Sequence, residues 1–136
     1  MRFMMFIYPG IKEEDWEPSP DDVAAMGRYN EELRKAGMLL SLDGLHPPAE
    51  GARVTFAGGK PSVTDGPFAE AKEVVGGYWV IQARSKEEAV EWASRVPAGE
   101  TDFIEVRRVF EMEDFPQDVQ DAYEEADPEG VAGAGS

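Results

Sequence analysis

The sequence predicts an α+β domain with a ferredoxin-like, split βαβ fold and an inserted β-hairpin. The first observation is the order of hydrophobic patterns, which reads strand, helix, strand, hairpin, strand, helix, strand. The second is the length of 136 residues, which suits one domain with one core. The third is the absence of cysteine, which excludes disulfides, thiolate metal sites and cysteine nucleophiles. This order places both helices on one face of an antiparallel sheet.

The first βαβ unit begins with an apolar run at residues 3–8, which predicts a strand. Ser19 is a typical N-cap, and Pro20 suits the first helical position. Asp22 follows the cap by three residues, as in a capping box. Together these residues predict a helix over 20–36.

A second strand and a hairpin follow. Residues 38–45 predict the strand, and two short β-like segments at 53–57 and 60–64 predict the arms of the hairpin. Gly58 and Gly59 lie between the arms, and glycine permits the backbone angles that a tight hairpin turn requires.

The second βαβ unit begins with a long strand predicted over residues 74–84. Ser85 and Glu88 form a capping box, and the apolar positions after them keep helical spacing until Pro97. Residues 102–111 predict the last strand of the domain.

Alternation divides this last strand into two faces. The face expected under the helices carries Ile104, Val106 and Phe110. The opposite face carries Phe103, Glu105, Arg107 and Val109. Because the opposite face mixes charged and apolar side chains, it suits an interface or a cleft. A monomer would leave it uncovered, so we expect a homodimer.

Charge and composition divide the chain into three parts. Residues 1–111 form the α+β domain, residues 112–126 an acidic segment that could be a short amphipathic helix, and residues 127–136 a disordered tail. The net charge of −15 argues against nucleic acid and anionic membranes as partners. No apolar run approaches the roughly 20 residues that span a bilayer, so we expect a cytoplasmic protein.

The Asp-Gly-Pro-Phe motif at residues 65–68 places the Asp65 carboxylate on a tight corner. Pro67 fixes its own φ, and Gly66 tolerates angles that other residues avoid. We expect Phe68 to anchor this corner to a core. The alternative is an ordinary turn, in which Asp and Gly are favoured anyway.

The only histidine, His46, lies at the end of the second predicted strand. Histidine suits acid–base chemistry near neutral pH, although a single histidine can also be structural. Because a hairpin returns the chain close to where it left, Asp65 could lie beside His46. We therefore predict that His46 acts as base or acid and that Asp65 orients its imidazole.

The candidate ligand-binding residues are Arg107, Glu105, Phe68 and Tyr8. Glu105 and Arg107 suit either an internal ion pair or the orientation of a ligand anion, for which the guanidinium is well shaped. Packing is the alternative for Tyr8. We expect no metal site, because one histidine and no cysteine leave only carboxylates without calcium-loop spacing. We expect no cofactor, because neither Gly-Gly pair matches a phosphate loop.

A run of motifs supports a family assignment. In chain order these are Phe3 to Tyr8, Gly44-Leu45-His46, Thr64 to Phe68, Glu70 to Glu73, Gly76-Gly77-Tyr78 and Ile104 to Arg107. Over residues 2–111 the chain resembles the DGPF branch of the YCII-related proteins, most of which have no established activity. The resemblance implies a dimeric α+β barrel with pockets between the sheet and the loops.

The resemblance also bears on the site and on partners. Asp65 corresponds to the Asp of the family motif, whereas the position of His46 is also occupied by glutamine in this branch. A His-Asp pair has been suggested as the active centre of the wider family, and one related class dehydrochlorinates a chlorinated hydroxyquinol. Members are also fused to, or encoded beside, extracytoplasmic-function sigma factors.

Two functions remain open from the sequence. The first is a cofactor-independent enzyme in which His46 and Asp65 transfer a proton on a small aromatic or carboxylated compound. The second is a non-catalytic small-ligand-binding or regulatory module with a sigma factor as partner.

Overall fold

The computed structural model describes residues 1–68, 73–127 and 129. The strands and helices, in chain order, are β1 (Arg2–Tyr8), α1 (Pro20–Lys35), β2 (Leu39–Gly44), β3 (Ala52–Thr55), β4 (Ser62–Asp65), β5 (Gly77–Gln82), α2 (Lys86–Ala93), β6 (Phe103–Arg108) and α3 (Gln117–Ala126). None of these helices is both long and apolar enough to cross a membrane.

The main sheet has four strands in the order β2-β5-β1-β6, and each neighbouring pair is antiparallel. Met5 of β1 lies opposite Trp79 of β5 on one side and Val106 of β6 on the other. Strands β3 and β4 form a separate two-stranded hairpin. The α+β, ferredoxin-like fold with an inserted hairpin is confirmed.

The helices begin where the sequence predicts. The Ser19 hydroxyl accepts a hydrogen bond from the Asp22 amide at 3.1 Å, and Asp22 reciprocates at the Ser19 amide, so the capping box is complete. The Ser85 hydroxyl likewise accepts from the Glu88 amide at 3.1 Å. These bonds satisfy amides that would have no partner within the first turn of a helix.

The core lies between one face of the main sheet and helices α1 and α2. Its buried members are Phe3, Met5, Tyr29, Leu33, Met38, Trp79, Ile81, Ala83, Ala89 and Val96. Two polar atoms within it have partners: the Tyr29 hydroxyl donates to the Trp92 carbonyl oxygen, and the Trp79 indole donates to Asn30, each at 2.8 Å. Burial raises the pKa of Tyr29, because the phenolate would be poorly solvated there.

The other face of the main sheet, here called the open face, presents Met4, Phe6, Tyr8, Asp43, Tyr78, Val80, Phe103, Glu105 and Arg107. None of these residues belongs to the buried core, and Phe103 is 42% exposed. The predicted division of the last strand is correct for Ile104 and Val106, which pack against the core.

Phe110 departs from that division. Strand β6 ends at Arg108, so the alternation does not extend to Phe110, which is 67% exposed. Its ring stacks on Phe115 instead, with centroids 4.6 Å apart. The acidic segment forms helix α3, whereas most of the tail predicted to be disordered lies outside the described residues.

Candidate functional site

The DGPF corner begins where β4 ends, at Asp65. The amide of Gly66 donates to the Gly51 carbonyl oxygen at 3.0 Å, and the Gly66–Pro67 peptide bond is cis. A Cβ atom on Gly66 would overlap the carbonyl of Pro48, so only glycine fits this approach. The corner is therefore packed against the chain two residues beyond His46.

This approach does not join the two side chains predicted to work together. His46 and Asp65 are both exposed, and no hydrogen bond or ion pair connects them within the described part of the chain. The backbone just before His46 is held, since the Leu45 amide donates to Gly76 and the Leu45 carbonyl accepts from the Trp16 indole, each at 2.9 Å. The hairpin brings the two segments together but leaves the imidazole and the carboxylate apart.

Phe68 is half-buried and is not among the residues that pack against the core. The Arg53 guanidinium lies over its ring, 4.1 Å from the centroid, in a cation–π contact. The expected anchoring of the corner to the core is therefore replaced by a contact with β3. Residues 69–72, which include the predicted charge cluster around Lys72, lie outside the described residues.

The remaining predicted residues meet on the open face. Tyr8 stacks on Phe103 of β6, with ring centroids 4.5 Å apart and planes inclined by 12°. On β6, Glu105 lies opposite Phe6 and Arg107 lies opposite Met4. Three of the four predicted ligand-binding residues thus share one surface, and Phe68 does not.

Glu105 is half-buried and Arg107 is exposed, but they do not pair with each other. Other arginines form the ion pairs of the described residues, namely Arg2, Arg34, Arg84, Arg95 and Arg108. Of the two alternatives, the internal ion pair is not formed, and the guanidinium of Arg107 is left available for an anion.

Sequence analysis missed a second polar pair on this face. The Tyr78 hydroxyl donates to Oδ2 of Asp43 at 2.9 Å, across the pairing of β2 with β5. This hydrogen bond raises the pKa of Tyr78, because the neutral phenol is the form that donates it. Alternation from Val80 could have placed Tyr78 on this face, but its partner depends on a register between strands that are distant in sequence.

The open face therefore has three chemical zones. Asp43 and Tyr78 lie at the β2 edge, Phe6 and Met4 form an apolar centre, and Arg107 lies at the β6 edge. Three interstrand spacings separate the two edges, about 14 Å. A small ring with an anionic group directed towards Arg107 fits these dimensions.

The largest depression in the described part of the chain lies elsewhere, with a volume of 590 Å³. It lies at the opposite end of the sheet from the DGPF corner, where β5 ends, and none of the predicted site residues lines it. Its lining residues are Met1, Ala36, Gly37, Met38, Gln82, Ala83, Arg84, Glu88 and Trp92. Among the described residues, no three His, Asp or Glu side chains are grouped as metal ligands.

Comparison with known proteins agrees with this fold. A family model of the YCII-related domain matches residues 1–113. An uncharacterized protein of Rhizobium meliloti (strain 1021) is 37% identical over 82 residues, which are 60% of this chain and 63% of that protein. Because the family model covers most of the sequence, the chain belongs to the YCII-related family.

Proposed function

We propose that this YCII-related chain is a homodimer that binds a small aromatic carboxylate over its open face. The observation that supports this proposal is the combination of aromatic side chains with the unpaired Arg107 on one uncovered side of the sheet. Residues 1–111 would form the binding domain, and residues 112–126 a separate acidic segment.

The homodimer follows from the burial of the open face. Met4, Phe6, Tyr78 and Val80 are only half-buried in one chain, and Phe103 is 42% exposed. A contiguous apolar surface of this kind is a liability in water. Pairing two such faces around a two-fold axis would cover both at once and would leave a polar cleft beside Arg107.

The ligand class follows from the chemistry at the two edges of the open face. Arg107 suits a carboxylate, because its guanidinium presents two parallel N–H donors. At the other edge, the phenol of Tyr78 already donates to Asp43, so the pair offers oxygen acceptors to a hydroxyl or amino group. The stacked rings of Tyr8 and Phe103 form an aromatic surface near the β6 edge.

The proposal is tested by ligand binding to the purified chain, with 4-hydroxybenzoate, benzoate and phenol as probes. A compound that binds only the folded protein stabilises it by about 2.7 kcal/mol at 100 times its Kd, which raises the melting temperature measurably. We expect 4-hydroxybenzoate to give the largest increase. Light scattering after size exclusion should give twice the chain mass of 15.0 kDa.

Adjacent arginines on β6 supply a matched control. Arg107→Gln should abolish the increase for the two carboxylates, whereas Arg108→Gln should not, since Arg108 faces the other side and pairs with Asp114. Equal losses in both variants, or a monomeric wild-type chain, would rule out the proposed site.

Proton transfer by His46 and Asp65 is the second candidate function. It is favoured by the close approach of Gly66 to Pro48, which keeps the two segments adjacent. A ligand identified by thermal shift would be followed by NMR during incubation with the protein. Consumption of the ligand by wild type but not by His46→Asn would identify an enzyme, and an unchanged ligand would favour a binding module.

A further inference from the structure

We infer that the β3–β4 hairpin is an arm that binds the acidic segment of a second copy of this chain. The acidic segment is defined here as residues 110–126, which contain helix α3. The inference rests on the proposed homodimer, but it assigns a contact that the pairing of open faces does not include.

The hairpin has an apolar side without a partner in the described part of the chain. Val54 and Val63 lie directly opposite each other in the register of β3 and β4, and they are 50% and 65% exposed. Phe56 follows on the same side and is 68% exposed. Because an isolated two-stranded hairpin is marginally stable in water, covering this side would stabilise it.

The acidic segment has the complementary properties. It contains seven Asp or Glu residues and no Lys or Arg, whereas residues 51–64 contain Arg53 and Lys60 and no acidic residue. It also carries exposed aromatic surface, because Phe110 is 67% and Tyr123 is 36% exposed while both rings contact Phe115. An apolar surface flanked by positive charge thus meets one flanked by negative charge.

The topology of the sheet separates these two surfaces within one chain. The hairpin follows the end of β2 and precedes β5, at the end of the sheet where Gly44 lies opposite Gly77. The acidic segment follows β6 at the other end, where Glu111 accepts hydrogen bonds from Arg2 at 2.7 and 3.2 Å. A hairpin therefore reaches an acidic segment most directly in another copy, and a two-fold axis would form the contact twice.

A spin-label experiment on a mixed dimer tests the contact directly. The chain has no native cysteine, so a nitroxide on Ser62→Cys labels one site, on the hairpin side away from Val63. This chain, unlabelled with nitrogen-15, is mixed with nitrogen-15-labelled wild type. We expect paramagnetic broadening of the α3 amides, residues 117–126, in the labelled copy.

Each other outcome overturns the inference. A dimer in which the broadening falls elsewhere, for example on β6, would give the arm a different occupant while leaving the proposed homodimer intact. A dimer without broadening would show that the arm contacts no part of the partner. A monomeric wild type would overturn both proposals.

Two substitutions on adjacent residues of β4 provide a quantitative test. Val63→Asn removes apolar surface from the proposed contact, and Ser62→Asn introduces the same residue on the opposite side. We expect Val63→Asn to raise the Kd of the dimer by about tenfold or more, and Ser62→Asn to leave it nearly unchanged. Equal Kd values for the two variants would contradict the inference.

Discussion

The main sheet and the hairpin use similar residues but reach opposite degrees of burial. In β5, Trp79 is 4% and Ile81 is 0% exposed, because α1 and α2 cover one face of the sheet. In the hairpin, Val54 and Val63 form a regular cross-strand pair, yet both are at least 50% exposed. The comparison shows that a strand pattern encodes the strand, whereas burial depends on what packs against it.

The largest expected contrast is in hydrogen exchange. Amides of Met5 and Ile81 should open only with global unfolding, and those of Val54 and Val63 through local opening of an isolated hairpin. In a dilute sample we expect protection factors to differ on the order of 10³ or more. Amide exchange measured by NMR checks this, and equal protection would remove the distinction. Protection of the hairpin that rises with protein concentration would support its contact with a second copy.

A substitution in the core tests the packed region by itself. Leu33 of α1 is 0% exposed, so Leu33→Ala should lower the free energy of unfolding by about 2–5 kcal/mol through lost burial and the cavity left behind. Val23 lies on the same helix but is 57% exposed, and Val23→Ala should cost less than about 1 kcal/mol. Urea unfolding of both variants gives the values, and similar losses would mean that α1 is not packed as described.

A smaller, pH-dependent effect is expected where the acidic segment joins the sheet. Hydrogen bonds from Arg2 lower the pKa of Glu111. A carboxyl group with a lowered folded-state pKa contributes stability above its unfolded pKa and loses it as the pH falls through the folded value. Glu111→Gln should therefore lower the melting temperature at pH 7 by at most about 3 °C, and the difference should vanish in acid. A difference that persists at low pH would indicate lost packing instead of a lost charge.

The smallest effect is expected at the DGPF corner. Because no contact joins His46 to Asp65, Asp65→Asn should leave the NMR signals of the His46 ring at pH 7 unchanged. These signals need no assignment experiment, since the chain has one histidine. A clear change in the ring signals would show that the two side chains interact in solution and would favour the enzyme hypothesis.

The sequence by itself determined the order of the elements, the N-terminal boundaries of α1 and α2, and the hairpin turn. These features depend on residues close together in the chain: the Ser19 and Ser85 caps act within three residues, and Gly58 and Gly59 adopt φ of 74° and 79° at the turn. The DGPF motif also indicated a tight corner, and the close approach of Gly66 to Pro48 accounts for its glycine.

Only the tertiary structure decided which distant side chains meet. The hydrogen bond between Tyr78 and Asp43 requires the register of β2 against β5, and the exposure of Phe110 depends on where β6 stops. His46 and Asp65 show the same limit, because a hairpin returns the backbone without fixing the direction of the side chains at its base. Local patterns select backbone conformation, whereas contacts across a sheet depend on register and on the packing of the whole domain.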